Sequence, residues 1–153
     1  MDWITRERPK VGRVGCAWLI RRFIDPAAQF HFADGASLAA AAERLGATIY
    51  HVPGSALSRQ GDAASFEVTC RSYNLLDNDP ALALLCRIVN TADIPRGPTQ
   101  EPEGPGLRAA IDGLLLIEAD DHAVLEQGGR VFEALYAYCA DQVRRRAAAQ
   151  GAG

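Results

Sequence analysis

The sequence predicts a mainly helical α+β fold, with about five or six helices around a small two-stranded sheet. Three patterns predict it. Residues 11–25, VGRVGCAWLIRRFID, have helical periodicity and stop at Asp25-Pro26. Two β-rich segments, QFHF at 29–32 and ATIYHV at 47–52, flank an alanine-rich helical run and can pair in parallel through its crossover. The second half is helix-forming on both sides of a single Pro/Gly-rich stretch.

Taken in order, Thr5 to Lys10 is charged and contains Pro9, so it reads as an extended or turning lead-in. The first helix starts at Val11 or Val14, and Pro26 ends it by disfavouring helical geometry at Asp25. At about 100° per residue, Cys16, Ala17, Leu19, Ile20, Phe23 and Ile24 share a broad apolar face. Trp18, Arg21, Arg22 and Asp25 fall on the opposite face. Gln29 to Phe32 alternates polar and aromatic residues as a strand does, and Ser37 suits the N-cap of the helix that stops at Gly46. Ala47 to Val52 forms the second strand, ended by Pro53-Gly54.

Ser55 to Ala64 is a polar loop, and Ser65 to Tyr73 reads as a short helix capped by Ser65. Asp79-Pro80 is a strong helix start, an N-cap followed by proline in the first turn. Residues 95–106, PRGPTQEPEGPG, form an internal loop, not a domain boundary. Two further helices are expected at Leu107 to Ala119 and His122 to Arg146, the second bent near Gly128-Gly129. Residues 1–153 then make one domain, with 147–153 as a disordered tail.

A chain of 153 residues can bury a sizeable core, and 48% hydrophobic with 23% charged residues is an ordinary globular balance. A formal charge of -3 argues against non-specific nucleic-acid binding, which needs a large positive field. The start, MDWITRERPK, lacks the apolar region of a secretory leader, and no apolar run is long enough to span a bilayer. A cytoplasmic location is therefore expected. Cys16, Cys70, Cys86 and Cys139 form no CxxC pair, so they are expected as small buried thiols, not as a zinc knuckle.

Three stretches can carry chemistry. On the first helix, Trp18 beside Arg21 and Arg22 can hold an oxyanion, because a guanidinium offers donors in a fixed fork and an aromatic face can steady it. The alternative is a surface pair of Arg21 with Asp25 and a packed Trp18. In EADDHAVLE, residues 118–126, a helical Glu118, Asp121 and His122 share one side and suit a divalent metal. The alternative is that Asp120-Asp121 caps a new helix. The loop SRQGDAASFE, residues 58–67, places Arg59, Asp62 and Glu67 where they close over a site or simply lie on the surface. His31 and His51 sit on the expected strands. There is no GxSxG, HExxH or phosphate-binding glycine loop.

Several blocks in order resemble the C-terminal domain of the ChrB family of chromate-resistance proteins. They are WITR at 3–6, CAWLIRRFIDP at 16–26, Pro53-Gly54, Ser65-Phe66-Glu67, DPAL at 79–82, Ala92-Asp93, Ala119 to His122 and EALY at 133–136 with Cys139. The arginine block is the specific one. The resemblance departs at four positions: the family pattern tends to aspartate at Gly12 and His51, histidine at Arg59 and cysteine at Ala64. It implies a bacterial cytoplasmic protein linked to chromate sensing or resistance. It carries over Arg13, Cys16, Trp18, Arg21, Arg22, Glu67, Asp93, Asp121 and His122 as candidates.

The reading so reached is a domain that binds or senses chromate or a related oxyanion, a tetrahedral dianion, through Arg13, Trp18, Arg21, Arg22, Arg59 and Glu67. A metal-dependent enzyme using His51, Glu67, Asp121 and His122, with a divalent metal as cofactor, stays open, as does a partner-docking module. Expected partners are the oxyanion and a second copy or another protein, with no membrane and no direct nucleic-acid contact. Redox chemistry at Cys16 is disfavoured, since that residue falls on the apolar face, where burial suppresses a thiolate.

Overall fold

The computed structural model of the protein describes residues 1–151. Its sheet has three parallel strands: β1 (Asp2–Arg6) lies between β2 (Gln29–Ala33) and β3 (Thr48–Ile49). Trp3 is opposite Phe30 and Thr48, and Ile4 is opposite His31 and Ile49. The expected two-stranded sheet thus gains a central strand, DWITR, whose last two residues, Thr5 and Arg6, fall in the expected lead-in Thr5 to Lys10. The two expected strands do not touch as a ladder, because β1 separates them.

β1 works as a centre because both of its faces are apolar. Trp3 joins Phe30 in the main core, whereas Ile4 packs with Leu38 and Ala42 on the other side. Those two residues belong to α2 (Leu38–Leu45), which covers that face. The connection from β1 to β2 runs through α1 (Val11–Leu19), which packs in the main core. The order β2-β1-β3 means the chain winds one way from β1 and then returns past it, leaving a switch between β1 and β3. Crevices for ligands form outside the carboxyl ends of strands at such a switch.

Beyond the sheet, α3 (Ser65–Ser72), α4 (Pro80–Asp93), α5 (Gly104–Ile117) and α6 (Asp121–Gly151) complete the helical layer, and α1 touches all four. This explains why α1 is buried nearly all round, with Arg13 its one residue that is not. Trp18, expected on a polar face, is only 8% exposed and packs among Phe23, Phe66, Phe132 and Tyr136. The helix then widens into a π-helical segment, Ile20–Ile24, closed by the Asp25 N–H donating to Ile20 O at 2.7 Å. Asp25 accepts from Trp3 Nε1 at 3.0 Å, a bond that holds its carboxyl below the usual range, and it makes no pair with Arg21.

Local signals elsewhere are honoured with small shifts. Asp79 caps α4 by accepting from Leu82 N at 2.9 Å, whereas Ser65 is the first residue of α3 and not its cap. α6 is unbroken at Gly128-Gly129. A Cβ at Gly128 would lie 2.5 Å from Val14 Cγ1, so that glycine serves the close approach of α1 and not a bend. α6 continues to Gly151, through most of the segment expected as a tail, and residues 152–153 lie outside the described part. Among the described residues no helix is long and apolar enough to cross a membrane.

Candidate functional site

The carboxyl ends of β1 and β3 open into a cleft of about 480 Å³, lined by Arg6, Arg13, His51, Ser58, Arg59, Ser65 and Asp93 among others. Each element delivers its residue for a local reason. Arg6 is the last residue of β1 and exposed, because the sheet ends there. Arg13 sits in the first turns of α1 and is half-buried. His51 follows β3, and its left-handed backbone (φ 51°) turns the chain out of the strand. That turn shortens the expected strand 47–52 to Thr48–Ile49 and is held by the His51 N–H donating to Leu57 O at 3.0 Å. Asp93 closes α4, and Arg59 reaches in from the long polar loop.

The electrostatics are lopsided. Three arginines face one carboxylate, Asp93, which is itself engaged by His51, with Nε2 3.1 Å from Asp93 Oδ2. Among the described residues none of the three arginines forms an ion pair with a carboxylate. Arg59 Nε is spent on Gly61 O at 2.8 Å, and Arg13 Nε is buried with no hydrogen-bond partner. Burial pulls the Arg13 pKa down, and the charge of Arg6 adds to the effect, outweighing Asp93. Gathering uncompensated guanidinium groups costs stability unless an anion joins them.

Gly12 shapes the same cleft. A Cβ there would stand 2.1 Å from His51 Nε2 and 2.6 Å from Asp93 Oδ2. The missing side chain at residue 12 is therefore what admits the His51–Asp93 pair against α1.

The other candidates do not gather here. Trp18, Arg21 and Arg22 line a separate recess of about 190 Å³ with Phe30, Leu125 and Glu133. Glu133 accepts from Trp18 Nε1 at 2.8 Å and from Arg22 Nε at 3.4 Å. Arg21 lies over the Phe30 ring and donates to Ala28 O at 3.4 Å. Glu67 accepts from Asn90 Nδ2 at 2.5 Å and pairs with Arg71. Asp121 is bound by Arg8, which also donates to the carbonyls of Leu115, Glu118 and Ala119 and so ties α5 to α6. His122 stands edge-on to Phe32, while Asp120 accepts from its N–H at 3.1 Å as a capping residue does.

His51, Glu67, Asp121 and His122 consequently occupy three different places. Among the described residues no three His, Cys, Asp or Glu side chains gather as a metal site. Cys16 is fully buried, and burial pushes its thiol pKa far up. Two cleft features escaped the sequence reading. Arg6 was hidden in an apparent lead-in, because DWITR is buried on both faces and shows no strict alternation that would mark it as a strand end. The pairing of His51 with Asp93 spans 42 positions and leaves no local signal.

Fold and cleft together define a small α+β domain built on a parallel sheet, with an arginine-lined recess at its strand ends. The family model of the ChrB C-terminal domain matches residues 3–139. The chain belongs to that family, in agreement with the ordered blocks seen in its sequence. Protein ChrB of Cupriavidus metallidurans is 35% identical over 144 residues, 94% of this chain and 42% of that protein, so the chain spans less than half of that relative's length. No solved structure matches the chain.

Proposed function

We propose that the cleft binds chromate or a related tetrahedral oxyanion, with Arg6, Arg13 and Arg59 as the principal donors, within a protein related to chromate resistance. One observation carries the reading: three arginines line one recess and none has a carboxylate ion-pair partner among the described residues. A dianion supplies the missing charge and accepts from several guanidinium N–H groups at once. Family membership agrees with an oxyanion of this kind. Asp93 and His51 limit the positive field on one side, and Ser65 offers a hydroxyl to a remaining oxygen, whereas the Ser58 hydroxyl already donates to Ser55 O at 2.7 Å.

The reading moves the site along α1. Arg13 and Arg59 stay and Arg6 joins them, whereas Trp18, Arg21, Arg22 and Glu67 do not line the cleft. Calorimetric titration with chromate and with sulfate is the test. Saturable binding is expected, weakened about 10- to 100-fold by Arg13→Ala, the loss of one or two charge-assisted hydrogen bonds. Arg22→Ala is expected to leave it unchanged. No saturable heat with either anion, or equal losses in the two variants, would overturn the assignment.

A further inference from the structure

The recess is larger than a single oxyanion requires. A tetrahedral oxyanion is one atom and four oxygens, on the order of two or three waters in bulk at about 30 Å³ each. The cleft alone holds about 480 Å³. It also does not end at Asp93. Arg59, Asp93 and Ile94 form its far rim and, at the same time, the near wall of a second hollow of about 510 Å³. That hollow adds Arg96 and Arg108 to the lining, with Asp62.

The second hollow repeats the electrostatics of the first. Arg96 has no carboxylate ion-pair partner among the described residues. Arg108 donates to Ala92 O at 3.2 Å and meets Asp112 only at 3.9 Å. Five arginines therefore run along one continuous trough against Asp62 and Asp93, in a chain whose net charge is -3. Arg59 stands at the junction, where it can serve either half. Among the described residues no Phe, Tyr or Trp lines either hollow, so the lining is dominated by guanidinium groups and not by aromatic faces.

From this we infer that the trough takes a linear ligand carrying at least two joined tetrahedral oxyanion groups, of the oligophosphate type. One end of the ligand lies toward Arg6 and Arg13 and the other toward Arg96 and Arg108, with Arg59 between them. The inference rests on the oxyanion reading for its inner end alone; the outer arginines support it independently.

The experiment titrates the protein by calorimetry with sulfate, chromate and tripolyphosphate at one fixed ionic strength, so that screening is equal. The variants are Arg13→Ala, the double Arg96→Ala/Arg108→Ala, and Arg144→Ala/Arg145→Ala on the remote end of α6. Tripolyphosphate is expected to bind at least about tenfold tighter than sulfate, and the outer double variant to lose that advantage while changing sulfate affinity less than about twofold. The α6 variant should leave all three titrations unchanged. Tripolyphosphate no tighter than sulfate, an outer variant with no effect on it, or an α6 variant that weakens it equally would overturn the inference while leaving single-oxyanion binding standing. Tripolyphosphate binding that depends on the outer pair, with neither sulfate nor chromate bound, would support the inference and overturn the single-oxyanion reading.

Discussion

The two ends of α1 hold arginines in opposite circumstances. At the amino end, Arg13 faces Arg6 across the cleft, its Nε is buried without a partner, and its one nearby carboxylate is engaged with His51. At the carboxyl end, Arg22 shares Glu133 with Trp18 and lies over the rings of Phe23 and Tyr136, and Arg21 lies over Phe30. The specific sequence block, CAWLIRRFIDP, belongs to the second region. Arg22 is paired with Glu133 of α6, whereas Arg21 is held against Phe30 and the Ala28 carbonyl of the sheet side. The less conspicuous Arg13 and Arg6 are the ones without a carboxylate partner among the described residues. Density of charge in sequence is therefore a poor guide to availability; what matters is whether the fold supplies the counter-charge.

If this contrast is right, substitutions should separate the two ends cleanly. Trp18→Ala is expected to give the largest effect, a loss of about 3–5 kcal/mol, because it empties the centre of an aromatic cluster. Urea denaturation reads it, and a loss below about 1 kcal/mol would mean the carboxyl end is not a packing site. Gly12→Ala comes next, at about 1–3 kcal/mol, since its methyl group would collide with His51 and Asp93. A thermal melt unchanged from the parent would show that the pair moves aside freely.

Arg22→Ala should cost less than about 1 kcal/mol, as its pairing with Glu133 is half-exposed on both sides. Arg13→Ala should be neutral or raise stability by up to about 1 kcal/mol, because it removes a partly desolvated, uncompensated charge. A clear destabilisation by Arg13→Ala would show that the guanidinium is held for the fold and not for a ligand. The smallest effect is chemical. Burial raises the thiol pKa of Cys16 and takes that of Cys139 to about 11, so little thiolate exists at pH 8. Native protein should react with a disulfide reagent far more slowly than urea-unfolded protein; a fast native phase would break this expectation.

Much of the architecture is written locally. Asp79-Pro80 caps α4, the alanine-rich run forms α2, and Pro26 ends the first helical stretch, each because the determining contacts lie within a few residues. The sheet was half legible. QFHF and TI could be seen, but DWITR was missed, because a central strand buried on both faces does not announce itself by strict alternation. Gly128 likewise looked like a helix breaker in isolation and acquired its meaning only from Val14, more than a hundred positions away.

Sequence by itself determined the fold class, the family and some of the candidate arginines, Arg13 and Arg59 but not Arg6. Tertiary structure decided which arginines line one cleft. Arg6, Arg13, Arg59 and Asp93 come from a strand end, a helix start, a loop and a helix end. Their convergence depends on the order β2-β1-β3, which opens a crevice between β1 and β3. The same packing places Glu133 against Trp18 and Arg22, and so supplies a counter-charge within the recess beside the arginine block. Helix caps and periodicity act over one or two turns, whereas charge compensation acts between whichever groups the fold brings within a few ångströms.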